Sequence, residues 1–167
     1  TVALVQGDAL GGGFEAALSC DVIVAERGAR FGLPEVLFNL FPGMGAYSFL
    51  SRRLGAARAE KMILSGHIYT AEELFEMDVV QLLAEPGRGE LAVREFISRN
   101  VRRQNAQAGV FRAGRRVSPL SYEELREVTD VWIESALRLS ETDLRKMERL
   151  TAAQNRRLAG QARSAAG

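Results

Sequence analysis

Three consecutive glycines, Gly11-Gly12-Gly13, followed at once by Phe14-Glu15, constrain this chain more than any other feature. Before them, Thr1-Val-Ala-Leu-Val5 is a nearly continuous apolar run, as expected of a strand covered on both faces. Gln6 to Gly13 reads as a turn, and Phe14 to Ser19 as a helix. Asp21-Val-Ile-Val-Ala25 is a second β-branched run, and Ala29 to Gly32 a third short one. Strand, glycine turn, helix and strand in this spacing predict a βαβ unit in a parallel sheet. Glycines at such a turn let the backbone approach a ligand closely, and the helix they open presents unpaired N–H groups and a positive dipole end. That combination can hold an oxyanion such as the enolate of a thioester. A phosphate-binding P-loop is excluded, because no Gly-Lys-Ser/Thr follows. The dinucleotide pattern G-x-G-x-x-G fails at its third position, which is Ala16; since some variants accept Ala there, dinucleotide binding is a weak alternative.

Two carboxylates stand near this turn. Glu15 falls in the first helical turn, where the dipole favours a negative charge whatever its role. Glu35 follows Pro34 inside an apolar stretch, Phe31-Gly-Leu-Pro-Glu-Val-Leu-Phe38. A lone carboxylate among such neighbours is either exposed at a turn or put to use. In an apolar cleft its pKa would rise, and it could hold or take a proton near neutral pH. Two carboxylates around one substrate can divide acid and base roles.

The rest of the chain narrows the classes. Its 167 residues suit one domain. The single cysteine, Cys20, excludes an internal disulfide framework, and with His67 the only histidine, a multi-cysteine or His-rich metal centre is not expected. Cys20 and His67 both read as structural. The net charge of +1 does not suggest wholesale nucleic-acid binding. No apolar run is long enough for a membrane span, and without a visible signal peptide the expected location is the cytoplasm. Thr1 itself reads as a cut inside the core, so the chain is expected to be N-terminally truncated.

After residue 33 the pattern turns helical. Gly43-Met-Gly45 opens a helix to about Leu54, and Ala56 to Leu64 forms another. Thr70-Ala-Glu-Glu73 fits a capping box, and Val79 to Leu83 a strand. Three helices are expected beyond residue 89: Glu90 to about Asn105, a helix capped at Ser121-Tyr-Glu-Glu124 and running to about Leu139, and Thr142 to Leu158. This divides the chain into an α/β part, 1–89, and a helical part, 90–167. Residues 94–116 carry seven arginines against one acid, Glu95, which makes Arg102 and Arg103 either part of a solvated face or a dock for an acidic partner.

Leu10-Gly-Gly-Gly-Phe-Glu-Ala-Ala-Leu-Ser-Cys-Asp21 and Phe31-Gly-Leu-Pro-Glu-Val-Leu-Phe-Asn-Leu-Phe-Pro-Gly-Met-Gly45 resemble the two signature segments of the crotonase superfamily, the enoyl-CoA hydratases and isomerases. Both glutamates match in order and stand 20 residues apart, as in two-glutamate hydratases. Within the superfamily, Gln6-Gly-Asp8, Met44 and the tail with Arg115-Arg-Val-Ser-Pro119 and Trp132 look most like the diffusible-signal-factor synthases. The resemblance implies an α/β fold: the C-terminal part of a ββα spiral, then a helical region that covers the pocket and mediates homotrimers or dimers of trimers. It implies dehydration of a 3-hydroxyacyl thioester on acyl carrier protein, then hydrolysis to a free cis-2-unsaturated fatty-acid signal; the alternative is a hydratase or isomerase acting on CoA thioesters. No cofactor or metal is implied. Glu15 and Glu35 would be the acid–base pair, in either order, and Gly12 one arm of the oxyanion hole. The other arm belongs to an N-terminal segment with no match here, so this chain alone is expected to be inactive. Leu10, Gly11, Phe14, Met44 and Trp132 are the expected substrate contacts, with Phe49 a further wall candidate. The receiver domain of the pathway's sensor kinase is an expected partner.

Overall fold

The computed structural model describes residues 1–164. Its α/β part is built on two three-stranded sheets. In one, β1 (Val2–Val5) lies parallel to β3 (Val22–Glu26), which lies parallel to β6 (Leu82–Ala84). In the other, β4 (Arg30–Gly32) pairs in parallel with β2 (Asp8–Leu10) and antiparallel with β5 (Ile68–Thr70). Val2 is in register with Val22, and Asp8 with Arg30, so one turn of the spiral consumes about 20 residues. The short helix α1 (Gly12–Leu18) closes the first turn, and a 3-10 turn (Pro34–Phe38) occupies the corresponding place in the second. Glu15 and Glu35 therefore arise at equivalent stations of successive turns.

β3 is buried along its whole length, as its unbroken apolar run requires. Between the layers Phe14 and Phe31 meet edge to face at 5.3 Å, surrounded by Leu18, Ile23, Leu50, Leu74 and Val79. The one charged residue of β3, Glu26, is satisfied by the Gln6 amide and by the backbone N–H groups of Gly87 and Gly89. It thereby fixes the entry to the helical part.

Helices α2 (Ala46–Leu54) and α3 (Ala56–Ser65) form a hairpin, and α4 (Ala71–Glu76) begins with the expected capping box between Thr70 and Glu73. Adjacent arginines on α2 tie it to both sides. Arg53 donates to the Leu18 and Cys20 carbonyls at the end of α1, while Arg52 makes a two-pronged ion pair with Glu124 at 2.8 and 2.6 Å.

Beyond Pro86 the described residues are mainly helical: α5 (Gly89–Asn100), α6 (Gln104–Val117), α7 (Tyr122–Ala136) and α8 (Glu141–Ser164). Three expectations change. Four helices stand where three were expected, because a 3-10 turn (Val101–Arg103) breaks the first and α6 follows it. A strand, β2, interrupts the expected turn at Gln6 to Gly13, since Asp8–Leu10 finds partners in β4. β6 lies later than expected, because Val79 and Val80 donate their N–H groups to the Leu74 carbonyl instead of to a strand. Among the described residues no helix is long and apolar enough to cross a membrane.

Candidate active site

The glycine turn works through backbone geometry. Gly11 has φ 56°, and its N–H donates to the Gly32 carbonyl, which locks the turn onto β4. The left-handed φ favours glycine at position 11, and a Cβ there would stand 2.8 Å from the Glu35 Oε1 atom and push that carboxyl aside. Gly12 begins α1, and its N–H has no acceptor inside the helix.

Glu15 is 3% exposed. Its Oε1 accepts from the Met44 N–H at 2.7 Å and the Ala46 N–H at 3.1 Å, at the N-terminus of α2. Burial raises its pKa, and these two N–H groups pull it back. Glu35 has no such support: its Oε2 is buried without a hydrogen-bond partner. Burial is the first cause that pushes its pKa up to about 7; a hydrogen bond to its own backbone opposes this, and the nearby Glu15 charge adds to it. The pKa values of both carboxyls are thus raised by burial, but only Glu15 is opposed by two N–H donors at a helix end, while Glu35 is the more inclined to keep a proton.

Both carboxylates open into one largely apolar cavity of about 370 Å³. Its inner wall is Gly12, Phe38, Leu40, Gly43 and Met44. Its outer wall comes from far along the chain, with Thr129 and Trp132 on α7 and Met147 on α8. Leu125, Thr129 and Trp132 lie on one face of α7, at helical spacing, over the Gly43-Met44-Gly45 loop. A Cβ on Gly43 would lie 2.6 Å from the Trp132 ring, so the indole rests directly on the glycine backbone.

The cavity brings together Gly12, Glu15, Glu35, Met44 and Trp132 of the residues singled out in the sequence, and Gly11 backs Glu35. Met44 is 69% exposed and forms a rim. Phe14 is not in the wall: it is fully buried against Phe31. Leu10 lies on β2, away from the cavity lining. Phe49 packs beside Gly45 and lines a separate cleft below α6. Arg102 and Arg103 occupy the exposed 3-10 turn before α6, apart from the cavity. His67 stacks edge-on against Tyr69 in an exposed segment, and Cys20 is half-buried beyond the end of α1. Among the described residues no group of three or more His, Cys, Asp or Glu side chains could hold a metal. Thr129, Met147, Phe38, Leu40 and Gly43 carry no local signature of a site. They come together only because α7 packs over the Gly43–Gly45 loop and α8 against the 3-10 turn.

A model of the enoyl-CoA hydratase/isomerase family matches residues 1–88. Over 79 residues the chain is 47% identical to the 2,3-dehydroadipyl-CoA hydratase of Escherichia coli, which covers 47% of this chain and 31% of that protein. Over 85 residues it is 41% identical to a short-chain-enoyl-CoA hydratase of Clostridium acetobutylicum, 51% of this chain and 33% of that one. The chain thus spans about a third of the length of the curated relatives it matches. The structure of carnitinyl-CoA hydratase from Mycobacterium avium superposes with a TM-score of 0.74 at 27% identity, covering 92% of this chain and 60% of that one.

Proposed function

The chain belongs to the enoyl-CoA hydratase/isomerase family, and on that premise we propose that Glu15 and Glu35 are the acid–base pair of a hydratase acting on acyl-CoA thioesters. The observation that carries the proposal is the unlike setting of two carboxylates in one apolar cavity: two N–H donors on Glu15, none on the buried Oε2 of Glu35. In the hydration direction, anionic Glu15 takes a proton from water as its oxygen bonds to C3 of the enoyl thioester. Electron density moves to the thioester oxygen, where the free Gly12 N–H serves as one oxyanion donor. Protonated Glu35 then delivers its proton to C2, and exchange with solvent returns the pair to its starting state. Dehydration is the reverse.

The apolar walls formed by Phe38, Leu40, Trp132 and Met147 suit an acyl chain, with the helical part from residue 90 as the cover. The named relatives act on CoA esters, which favours this reading over the carrier-protein signal synthase expected from the sequence. The test uses the full-length protein with 2-enoyl-CoA and 3-hydroxyacyl-CoA substrates. Glu15→Gln and Glu35→Gln are each expected to lower turnover by about 10³-fold. Wild-type turnover in either variant overturns the assignment. Release of free cis-2-enoic acid from a 3-hydroxyacyl carrier protein would restore the synthase reading instead.

A further inference from the structure

Glu35 has no side-chain partner to orient its buried Oε2, so its aim depends on the backbone turn that carries it. That turn is held on two sides. On one, Gly66 at the end of α3 lies under the Val36 and Leu37 side chains with no room for a Cβ, which would stand 2.9 Å from Val36 Cγ1. On the other, the turn closes at Asn39, whose left-handed backbone (φ 62°, ψ 33°) lets the Leu40 N–H return to the Glu35 carbonyl. The Asn39 side chain then reaches 104 residues along the chain and donates from Nδ2 to Asp143 Oδ2 at 3.4 Å. Asp143 is 9% exposed. The same oxygen accepts from the Ser140 N–H at 3.0 Å and the Ser140 hydroxyl at 2.7 Å, and the Asp143 N–H donates back to that hydroxyl. This reciprocal cap sets the start of α8, and one turn later Met147 enters the cavity wall.

We propose that Asn39 and Asp143 form a positioning pair for Glu35: the cap of α8, fixed by Asp143, holds the Asn39 end of the turn and so aims the carboxyl into the cavity. The inference rests on the acid–base role of Glu35 given above. The pair does not touch the reacting atoms. Its effect is on orientation, where a displacement of about 1 Å costs up to about 10²-fold in rate. Only the amide N–H edge of Asn39 can face the carboxylate, since its oxygen would be repelled. Among the described residues, the link is the polar tie between α8 and the Glu35 turn that the hydrogen-bond network provides.

The test uses full-length enzyme and an enoyl-CoA substrate. Asn39→Gly keeps the left-handed backbone, which glycine adopts freely, and removes only the amide. It is expected to lower kcat about tenfold, with KM and melting temperature nearly unchanged. Asp143→Ala should lower kcat similarly, and Asp143→Asn, which retains an acceptor oxygen, should restore it. The Asn39→Gly/Asp143→Ala double variant should lose no more kcat than the more affected single one. Wild-type kcat in Asn39→Gly, or additive losses in the double variant, would overturn the pairing. Glu35→Gln is run beside them: if it stays active, the acid–base reading has failed, whereas a dead Glu35→Gln with an unaffected Asn39→Gly refutes the positioning pair alone.

Discussion

The environment of Glu35 makes a quantitative statement about stability. Burial holds its carboxyl at about 7 in the folded protein, against 4.5 for a free side chain. A displacement of that size is worth about 3 kcal/mol between the two protonation states. The folded state binds this proton more tightly than the unfolded state, so stability falls as pH rises from about 4.5 to about 7. Below that window the group contributes no penalty; above it, the folded protein carries a buried, poorly solvated anion at the full cost. Glu35→Gln removes the titration while keeping shape and size. The variant is therefore expected to match the wild type near pH 4.5 and to exceed its stability by about 3 kcal/mol near pH 8.

The assay is urea denaturation of the full-length protein and the variant, followed by far-ultraviolet circular dichroism at a series of pH values between about 4.5 and 8.5. Subtracting one pH profile from the other isolates Glu35, because Glu15 and the other carboxylates are common to both. The repulsion from Glu15 is already contained in the raised Glu35 value, so it adds no further gain. Parallel profiles would refute the reasoning, since they would mean that Glu35 titrates as a solvated carboxylate and that its Oε2 is not buried. The same titration governs the proposed chemistry. Hydration that uses Glu35 as acid should lose about tenfold in kcat/KM for each pH unit above about 7.

Three further outcomes follow from packing and charge. Gly43→Ala places a methyl 2.6 Å from the Trp132 ring; it should cost about 1–3 kcal/mol in thermal unfolding and raise KM, as α7 is pushed off the cavity. Phe14→Ala empties a core position beside Phe31 and should cost about 3–5 kcal/mol, so a variant with unchanged stability and altered chain-length preference would put Phe14 in the acyl wall after all. Charge reversal at Arg102 and Arg103, which lie on an exposed 3-10 turn apart from the cavity, should leave KM for an enoyl-CoA substrate nearly unchanged, and a salt-sensitive rise would make the turn an anion dock instead of a solvated face.

What can be seen in the sequence is what local chemistry dictates. The glycine turn, Glu15, Glu35 and the caps at Thr70 and Ser121 lie within a few residues of the features that define them. β2 is hidden because three residues, Asp8–Leu10, become a strand only when Arg30–Gly32 lies beside them. α6 is hidden because Gly109, Gly114 and a run of arginines dilute its few apolar residues. Phe14 misleads for a geometric reason. Neighbours on a helix point about 100° apart, so the turn that aims Glu15 at the cavity sends Phe14 the other way, into the core.

The repeat of about 20 residues places two carboxylates at like stations of successive turns, but it does not make them alike. On the first turn Glu15 is met by two N–H groups at the N-terminus of the helix hairpin, which follows the second turn in the chain. The second leads into a 3-10 turn that surrounds Glu35 with apolar walls and a glycine backbone and opposes its burial only with the residue's own backbone. The sequence supplies the pair through its period, and tertiary structure alone breaks the symmetry between them. An acid and a base of the same residue type require that asymmetry. It depends on where α2 begins and on what α7 and α8 cover, which is why a motif confined to residues 10–45 does not by itself assign the two roles.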